Sequence, residues 1–381
     1  MTYKRNVFSI VTILFWFSLY AYMPQMTNYA KEMGASYKLI GLIGGAYGFT
    51  QTILRIPIGI LSDRLMKRKV FIIGGITCAA LSASSVYFFP SPYTLLIARL
   101  IAGISSATWV NFTILFLSYY DASESAKSIG IVTANSKIGQ LFAMFIGGFI
   151  ALKYSVREIF LMSIIFAIIS LIFGFFIYED KEKIQIENKA KKGTVLFDLL
   201  RNKRIIQISI LGSIIQLTAY ATNFGFTPII AAKLGADNLQ LSFLAVLFTL
   251  PQILFSILSG TYFARKFGEK KTLISGFLIV SIVCILTPFT TKLYQLYVMQ
   301  LFSGIGNAVA FALLMSMVIK DVEKNMMTTT MGFYQAAYGV GMIIGPIVLG
   351  GIGDIFGLAT GFIIIGLLGL ASIWSIKRLN V

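Results

Sequence analysis

The sequence predicts an all-α integral membrane protein with twelve spans, arranged as two related six-helix bundles around a central cavity. Three observations predict it. Apolar residues make up 57% of the 381 and charged residues only 12%, against roughly 25% charged in a soluble domain. Apolar runs of about 20 residues recur along the chain, each long enough to cross ~30 Å of hydrocarbon. The second half also repeats the first in register.

The first six spans are expected near 7–29, 39–61, 70–89, 93–119, 127–152 and 157–178. The second six are expected near 204–231, 239–262, 271–290, 293–319, 327–352 and 355–376. The first run is too long for a signal-peptide core and lacks a small-residue cleavage site, so it reads as a retained span. The predicted organisation is an N-terminal bundle over 1–178, a cytoplasmic linker over 179–203 and a C-terminal bundle over 204–381. The linker is the one extended polar segment, and a short amphipathic helix is expected near 195–200.

At an offset of 201, Gly34-Ala35 matches Gly235-Ala236, Gln51 matches Gln252, Gly59 matches Gly260 and Arg64 matches Arg265. Tyr93, Leu100 and Gly103-Ile104 match Tyr294, Leu301 and Gly304-Ile305 in the same register. At an offset of 202, Gly130, Gly139 and Gly148 match Gly332, Gly341 and Gly350. Apolar helices resemble one another by composition, but polar and glycine positions do not hold register for that reason. The pattern is an internal duplication.

The net charge of +17 reports topology. The segments predicted to be cytoplasmic hold about 23 of the 32 Lys and Arg, and the opposite side about six. That asymmetry places both termini in the cytoplasm of a multi-pass protein of the cell membrane. The same charges lie against anionic lipid headgroups, and no nucleic-acid partner is expected. Cys78 and Cys284 fall inside separate spans and the chain has no histidine. No disulfide framework, metal site or cofactor is expected.

The turn between the second and third spans reads Gly59-Ile60-Leu61-Ser62-Asp63-Arg64-Leu65-Met66-Lys67-Arg68-Lys69. It resembles the signature loop of the major facilitator superfamily of transporters. Two six-helix repeats with the linker and both termini on one side also resemble that fold, over essentially the whole chain. The resemblance implies conformational gating by Gly59, Asp63 and Arg64, with Asp63 meeting a helix end. Where the family places a glycine, this chain has Met66. The second-half copy has Ala264 in place of Asp63, so the lock is expected on one side only. Arg55, eight residues before Asp63, is expected to serve the same region.

Two further motifs resemble the drug/proton antiporter branch of the family. Arg99-Leu100-Ile101-Ala102-Gly103 resembles its fourth-span motif. Gly341, Gly345 and Pro346 resemble its antiporter motif, which the family carries in the fifth span and this chain carries in the eleventh. A gating role is expected for those three residues, with helix packing as the alternative.

The membrane interior holds three cations. Arg99 lies ~10 Å past the predicted outer loop. Lys137 lies ten residues beyond Lys127, about 15 Å into the membrane and near its midplane. A cation there costs about 2.5–3.5 kcal/mol on insertion scales, which makes it a functional candidate. Thr133, Lys137, Gln140 and Met144 form one helical stripe. Arg99 and Lys137 are expected to contact substrate or carry coupling, with structural hydrogen bonding as the alternative. Gln300 stands at the repeat position of Arg99, and Gln300, Gly304, Asn307 and Phe311 form the matching stripe. Gln216, Tyr220, Asn223 and Thr227 form a polar stripe in the seventh span. Ser18, Tyr22 and Gln25 repeat that spacing in the first. The family lines its cavity with the first, fourth, seventh and tenth helices, which makes Gln216, Tyr220, Asn223, Gln300, Asn307 and Tyr22 expected substrate contacts. No Asp or Glu lies in the middle of any predicted span.

The expected function is secondary active transport of a small organic solute by alternating access, as an efflux protein. The alternative is uptake or anion exchange of an anionic organic solute, motivated by the cation excess. A lipid flippase or a transport-dead receptor are lesser alternatives. No span carries a paired-carboxylate, histidine or serine-triad pattern, so no enzyme is expected. A proton or counter-solute gradient is the expected driving force, and a monomer the expected state.

Overall fold

The computed structural model describes residues 2–120, 125–179, 202–320, 322 and 327–379. The structure is helical, and eleven helices among the described residues are long and apolar enough to cross a membrane. The first half contains α1 (Thr2–Tyr20), α2 (Met26–Glu32), α3 (Tyr37–Leu65), α4 (Arg68–Phe88), α5 (Pro92–Ala107), α6 (Trp109–Leu117), α7 (Ser125–Lys153) and α8 (Val156–Gly174). The second contains α9 (Lys203–Ala221), α10 (Thr227–Lys233), α11 (Asn238–Leu258), α12 (Ala264–Phe267), α13 (Glu269–Leu286), α14 (Leu293–Ile319), α15 (Met327–Phe356) and α16 (Leu358–Lys377). The helix expected near 195–200 lies outside the described residues.

The described chain falls into two compact units. One comprises Met1–Tyr29 and Phe49–Lys192, the other Ala30–Gly48 and Gly193–Val381. These bounds differ from the expected 1–178 and 204–381 bundles, because the first turns of α3 pack with the second half. The reason lies in the glycines of α3. A Cβ at Gly41 would lie 2.3 Å from the Pro346 carbonyl oxygen, and one at Gly45 would lie 2.8 Å from that of Ile343. Gly44 and Gly48 meet Pro346 and Met342 in the same groove. Four small residues on one face let this part of α3 lie directly on the backbone of α15. The remainder of α3 packs in the first unit, where Thr50 Oγ1 donates to the Leu100 carbonyl at 2.8 Å.

The same device holds each unit together, at the matching positions Gly139 and Gly341 and at one further glycine in each. On α7, a Cβ at Gly139 or Gly147 would meet the carbonyl oxygens of Ile13 (2.4 Å) and Ala21 (2.2 Å) of the first span. On α15, a Cβ at Gly341 or Gly345 would meet those of Ser213 (2.0 Å) and Leu217 (2.3 Å) on α9. Between neighbouring antiparallel helices, buried serines tie backbone to backbone. Ser82 and Ser105 donate to the carbonyls of Ala98 and Gly75 across α4 and α5, at 2.8 and 2.7 Å. In the second unit Ser259 donates to Val309 at 2.7 Å. Aromatic side chains fill the remaining interior of the first unit, with Phe15 stacked on Phe112 at 4.6 Å and Trp16 edge-on to Trp109 at 5.2 Å.

The first span departs from the continuous helix expected over 7–29: a turn over 21–25 separates α1 from α2. The seventh span carries a π-helical segment over Thr222–Phe226, between α9 and α10. These interruptions stand 201 residues apart, so the duplication copied a broken helix. Proline explains both locally. Pro24 lies inside the first break and Pro228 just after the second, and neither has an N–H for the ladder. The fourth span breaks at Thr108 and the eighth has a second π-helical segment over Ser259–Phe263.

The turn after α3 shows what Met66 does. It has φ +54°, the sole positive φ of a non-glycine among the described residues. The chain makes the left-handed helix exit that suits glycine, with a methionine in its place. A left-handed residue with a Cβ costs ~1–2 kcal/mol. Met66→Gly is therefore expected to stabilise the purified protein by about 1 kcal/mol. Its melting temperature should rise in a thermal unfolding assay, and a fall would show that the methionine side chain contributes more than its backbone costs.

Candidate substrate and gating sites

In the first unit, α7 presents three faces. Gly139 and Gly147 lie against the first span, and Ile138, Phe142, Phe145 and Phe149 are exposed on the outside. Lys137, Gln140 and Met144 lie on the third face. Lys137 Nζ donates to Gln140 Oε1 at 3.2 Å, one turn along the helix. Gln140 is 5% exposed and Met144 fully buried, while Lys137 is half-buried. Lys137 stands 12 residues from the start of α7 and 16 from its end, about 18 and 24 Å along the axis. A lysine cannot reach an interface from that depth. Its hydrogen-bond partner among the described residues is neutral.

Arg99 is 2% exposed on α5, in the face formed by Leu95, Ala98, Ala102, Gly103 and Ser106. Arg55 is half-buried on α3. Tyr22 is 2% exposed and stacked on Phe160 at 4.8 Å, so its ring packs inside the unit. Ser18 donates to the Phe15 carbonyl of its own helix. The stripe expected from Ser18, Tyr22 and Gln25 is thus absorbed by packing at two of its three positions.

In the second unit the π-helical segment brings Asn223 to α14. Ser303 Oγ donates to Asn223 Oδ1 at 3.2 Å, leaving Asn223 Nδ2 buried without a partner among the described residues. Asn307, one turn beyond Ser303, is 5% exposed and its Nδ2 also has no partner. Gln300 is 2% exposed, and Ser303 is 3% exposed. Sequence reasoning missed Ser303 because it took Gly304 as the small member of this stripe. Gly304 instead faces α11, where a Cβ would lie 2.2 Å from the Phe248 carbonyl oxygen. Tyr220 and Gln216 are half-buried on α9, and Tyr220 packs on Phe224 at 5.3 Å. π-Segments add a residue to a helix without ending it and recur at functional sites. Here the extra residue rotates Asn223 towards Ser303.

The signature turn is pinned within the first unit. Glu179 accepts from the backbone N–H groups of Arg68 and Lys69 at the start of α4, and Lys69 Nζ donates to the Phe175 carbonyl at 2.7 Å. A carboxylate at a helix N-terminus satisfies orphan donors and meets the positive end of the dipole. Arg64 is exposed, and the Asp63 side chain lies outside the described residues. Among the described residues Gly59 makes no close helix approach: the nearest atom to a Cβ there is Val110 Cγ1 at 4.0 Å. Gly341 and Gly345 pack on α9 and Pro346 on α3, as described above.

A second carboxylate does for α3 what Glu179 does for α4. Asp354 Oδ1 and Oδ2 accept from the backbone N–H groups of Tyr37 and Lys38, each at 2.7 Å. Ser36 takes the next two, its Oγ from Leu39 and its carbonyl from Ile40. The N–H groups of the first four residues of α3 are thereby paired, two of them by a residue 317 and 316 positions away. Lys31 and Lys233 stand over the Tyr37 ring at 4.2 and 5.9 Å. Sequence reasoning saw Asp354 only as the end of a span, because a cap supplied from a distant helix leaves no local signal.

The chain matches the Major Facilitator Superfamily model twice, over residues 8–220 and 208–379. It is a multi-pass membrane protein and belongs to that transporter superfamily. It is 26% identical to an uncharacterised MFS-type transporter of Methanocaldococcus jannaschii, over 93% of each chain. It is 25% identical to a homologue of the multidrug resistance efflux pump PmrA from Lactococcus lactis, over 91% of this chain and 88% of that one. Among solved structures it resembles the nucleoside transporter NupG with a TM-score of 0.81 at 16% identity, over 99% of this chain and 98% of that one. A bacterial homologue of the lysosomal transporter Spinster, inward-facing and occupied, gives 0.78 at 14% identity, over 100% and 97%. At these identities the structures establish the major facilitator fold.

Removing the Asp354 carboxylate is expected to free two helix-terminal donors at a cost of about 1 kcal/mol. Thermal unfolding should rank wild type above Asp354→Asn and that above Asp354→Ala. An unchanged melting temperature in Asp354→Ala would show that solvent satisfies those donors equally well.

Proposed function

We propose that this protein is a secondary transporter of the cell membrane, with both termini in the cytoplasm, that exports a small organic solute by alternating access. The observation that carries this reading is the polar lining built at the breaks and faces of otherwise apolar spans. Asn223 with Ser303, Asn307, and Lys137 with Gln140 each hold hydrogen-bonding capacity at membrane depth. Such groups are costly in hydrocarbon and are kept where a solute passes. Similarity to the Lactococcus PmrA homologue over most of both chains supports export as the direction.

A proton or counter-solute gradient drives the cycle, and Arg99, Lys137, Gln216, Tyr220, Asn223, Gln300 and Asn307 are the residues proposed to meet solute or coupling ion. Asp63, Arg64, Arg55, Gly59, Gly341, Gly345 and Pro346 are proposed to set the conformational equilibrium. Uptake or anion exchange is the second reading, favoured by the neutral partner of Lys137.

The test is retention of a labelled solute panel, spanning cations, neutral compounds and carboxylates, in efflux-deficient cells. Expression is expected to lower retention of at least one solute, and collapse of the pH gradient to abolish that effect. Raised retention would overturn export in favour of uptake. Export that survives the collapse would assign the drive to a counter-solute.

A further inference from the structure

We infer that the cargo is an organic anion, a carboxylate or a group of like charge and acceptor geometry, held by the Lys137 ammonium beside Gln140. The inference rests on the transporter reading and adds the chemical class of the solute. It starts from a charge balance. An ammonium has three donors; the described structure gives Lys137 one acceptor, the Gln140 carboxamide oxygen. A carboxamide orients an ammonium without neutralising it.

Among the described residues, the helices that pack most extensively on α7 are α1, α6 and α8, and they place no counter-charge near Lys137. α1 carries Lys4 and Arg5 and no acid, and α6 carries no charged residue. α8 carries Arg157 and Glu158 in its first turn, close to the far end of α7 and so roughly 20 Å along the axis from Lys137. α7 itself contains Lys127, Lys137 and Lys153 and no acid. A helix that keeps an ammonium at membrane depth without a carboxylate within reach leaves that charge for a ligand to complete. A cationic solute would meet an uncompensated like charge in a medium of low dielectric.

The second unit, taken by itself, has the same bias. Asn223 accepts from Ser303 through its oxygen, and among the described residues neither its Nδ2 nor that of Asn307 has a partner. Buried amide donors left open in this way suit an acceptor such as a carboxylate or carbonyl oxygen.

The test is equilibrium binding to purified full-length protein, with benzoate and succinate as anionic probes. Benzamide serves as the neutral analogue of benzoate and tetraphenylphosphonium as the cation. A carboxylate is expected to bind and to raise the melting temperature, while benzamide and tetraphenylphosphonium do neither. Lys137→Gln should weaken carboxylate binding at least tenfold and Lys137→Arg should retain it. Gln140→Glu places an internal counter-charge beside the ammonium, and should weaken carboxylate binding by a similar factor without loss of fold. It therefore decides the matter even where Lys137→Gln does not fold. Carboxylate binding unaffected by Gln140→Glu, absence of binding by either carboxylate, or preferential binding of tetraphenylphosphonium would overturn the inference. Binding to purified protein is silent on direction. Carboxylate binding in a protein that imports would sink the export reading alone, and exported tetraphenylphosphonium without carboxylate binding would sink this inference alone.

Discussion

Hydrocarbon cannot solvate a peptide group or a charge, and the rest of this structure depends on that. Every N–H and C=O at membrane depth has to find its partner inside the protein, which forces helices and makes each interruption a commitment. Among the described residues four spans are interrupted, and two of the breaks are copies of one another at 21–25 and 222–226. Both are built with proline, and the second turns a carboxamide towards a neighbouring helix. The same constraint governs helix ends. The N-termini of α3 and α4 are each closed by a carboxylate from a distant segment, Asp354 and Glu179. Such caps fasten a helix start to another part of its own unit as they satisfy it.

Because lipid tails are as apolar as leucine, burial of side chains adds little drive for helices to associate. Close backbone approach supplies it. Gly139, Gly147, Gly341 and Gly345 each set a helix directly onto a carbonyl of its neighbour, and Gly41 and Gly45 do so for the start of α3. A Cβ at any of them would lie within 3 Å of an oxygen, so these positions tolerate no side chain without moving a helix. The motif Gly341, Gly345 and Pro346 is accounted for in this structure by two such contacts on α9 and one on α3. Any gating role it has acts through the separation of those surfaces.

Much of this was legible in the sequence. Length and hydropathy of the runs defined the spans, and glycines in register defined the duplication, because both signals are local or periodic. Lys137 with Gln140 was legible too, since their spacing of three sets them on one helical face. What escaped was set by partners far along the chain. The allegiance of residues 30–48 to the second unit is decided by Pro346 and Ile343, and the role of Asp354 by Tyr37 and Lys38. Ser303 hid beside a glycine that turned out to face another helix. Met66 was visible as a departure, but its backbone, φ +54°, was not. Asn223 was named from a spacing of four, three and four that the π-helical segment in fact alters.

The duplication also separates what packing fixes from what it leaves free. Gly139 and Gly341, where a Cβ would strike a carbonyl, are kept in both halves, as are the paired breaks, whereas Gly147 and Gly345 stand at the repeat positions of Leu349 and Ala143. Two cations at membrane depth are not kept. The repeat equivalent of Arg99 is Gln300 and that of Lys137 is Gly339. Close packing punishes change at the first group, because neighbouring backbone cannot yield. At the second group the penalty is solvation, and a bound solute can offset it. The divergence at Arg99 and Lys137 differs in kind from that at the packing glycines, because a ligand could meet its cost.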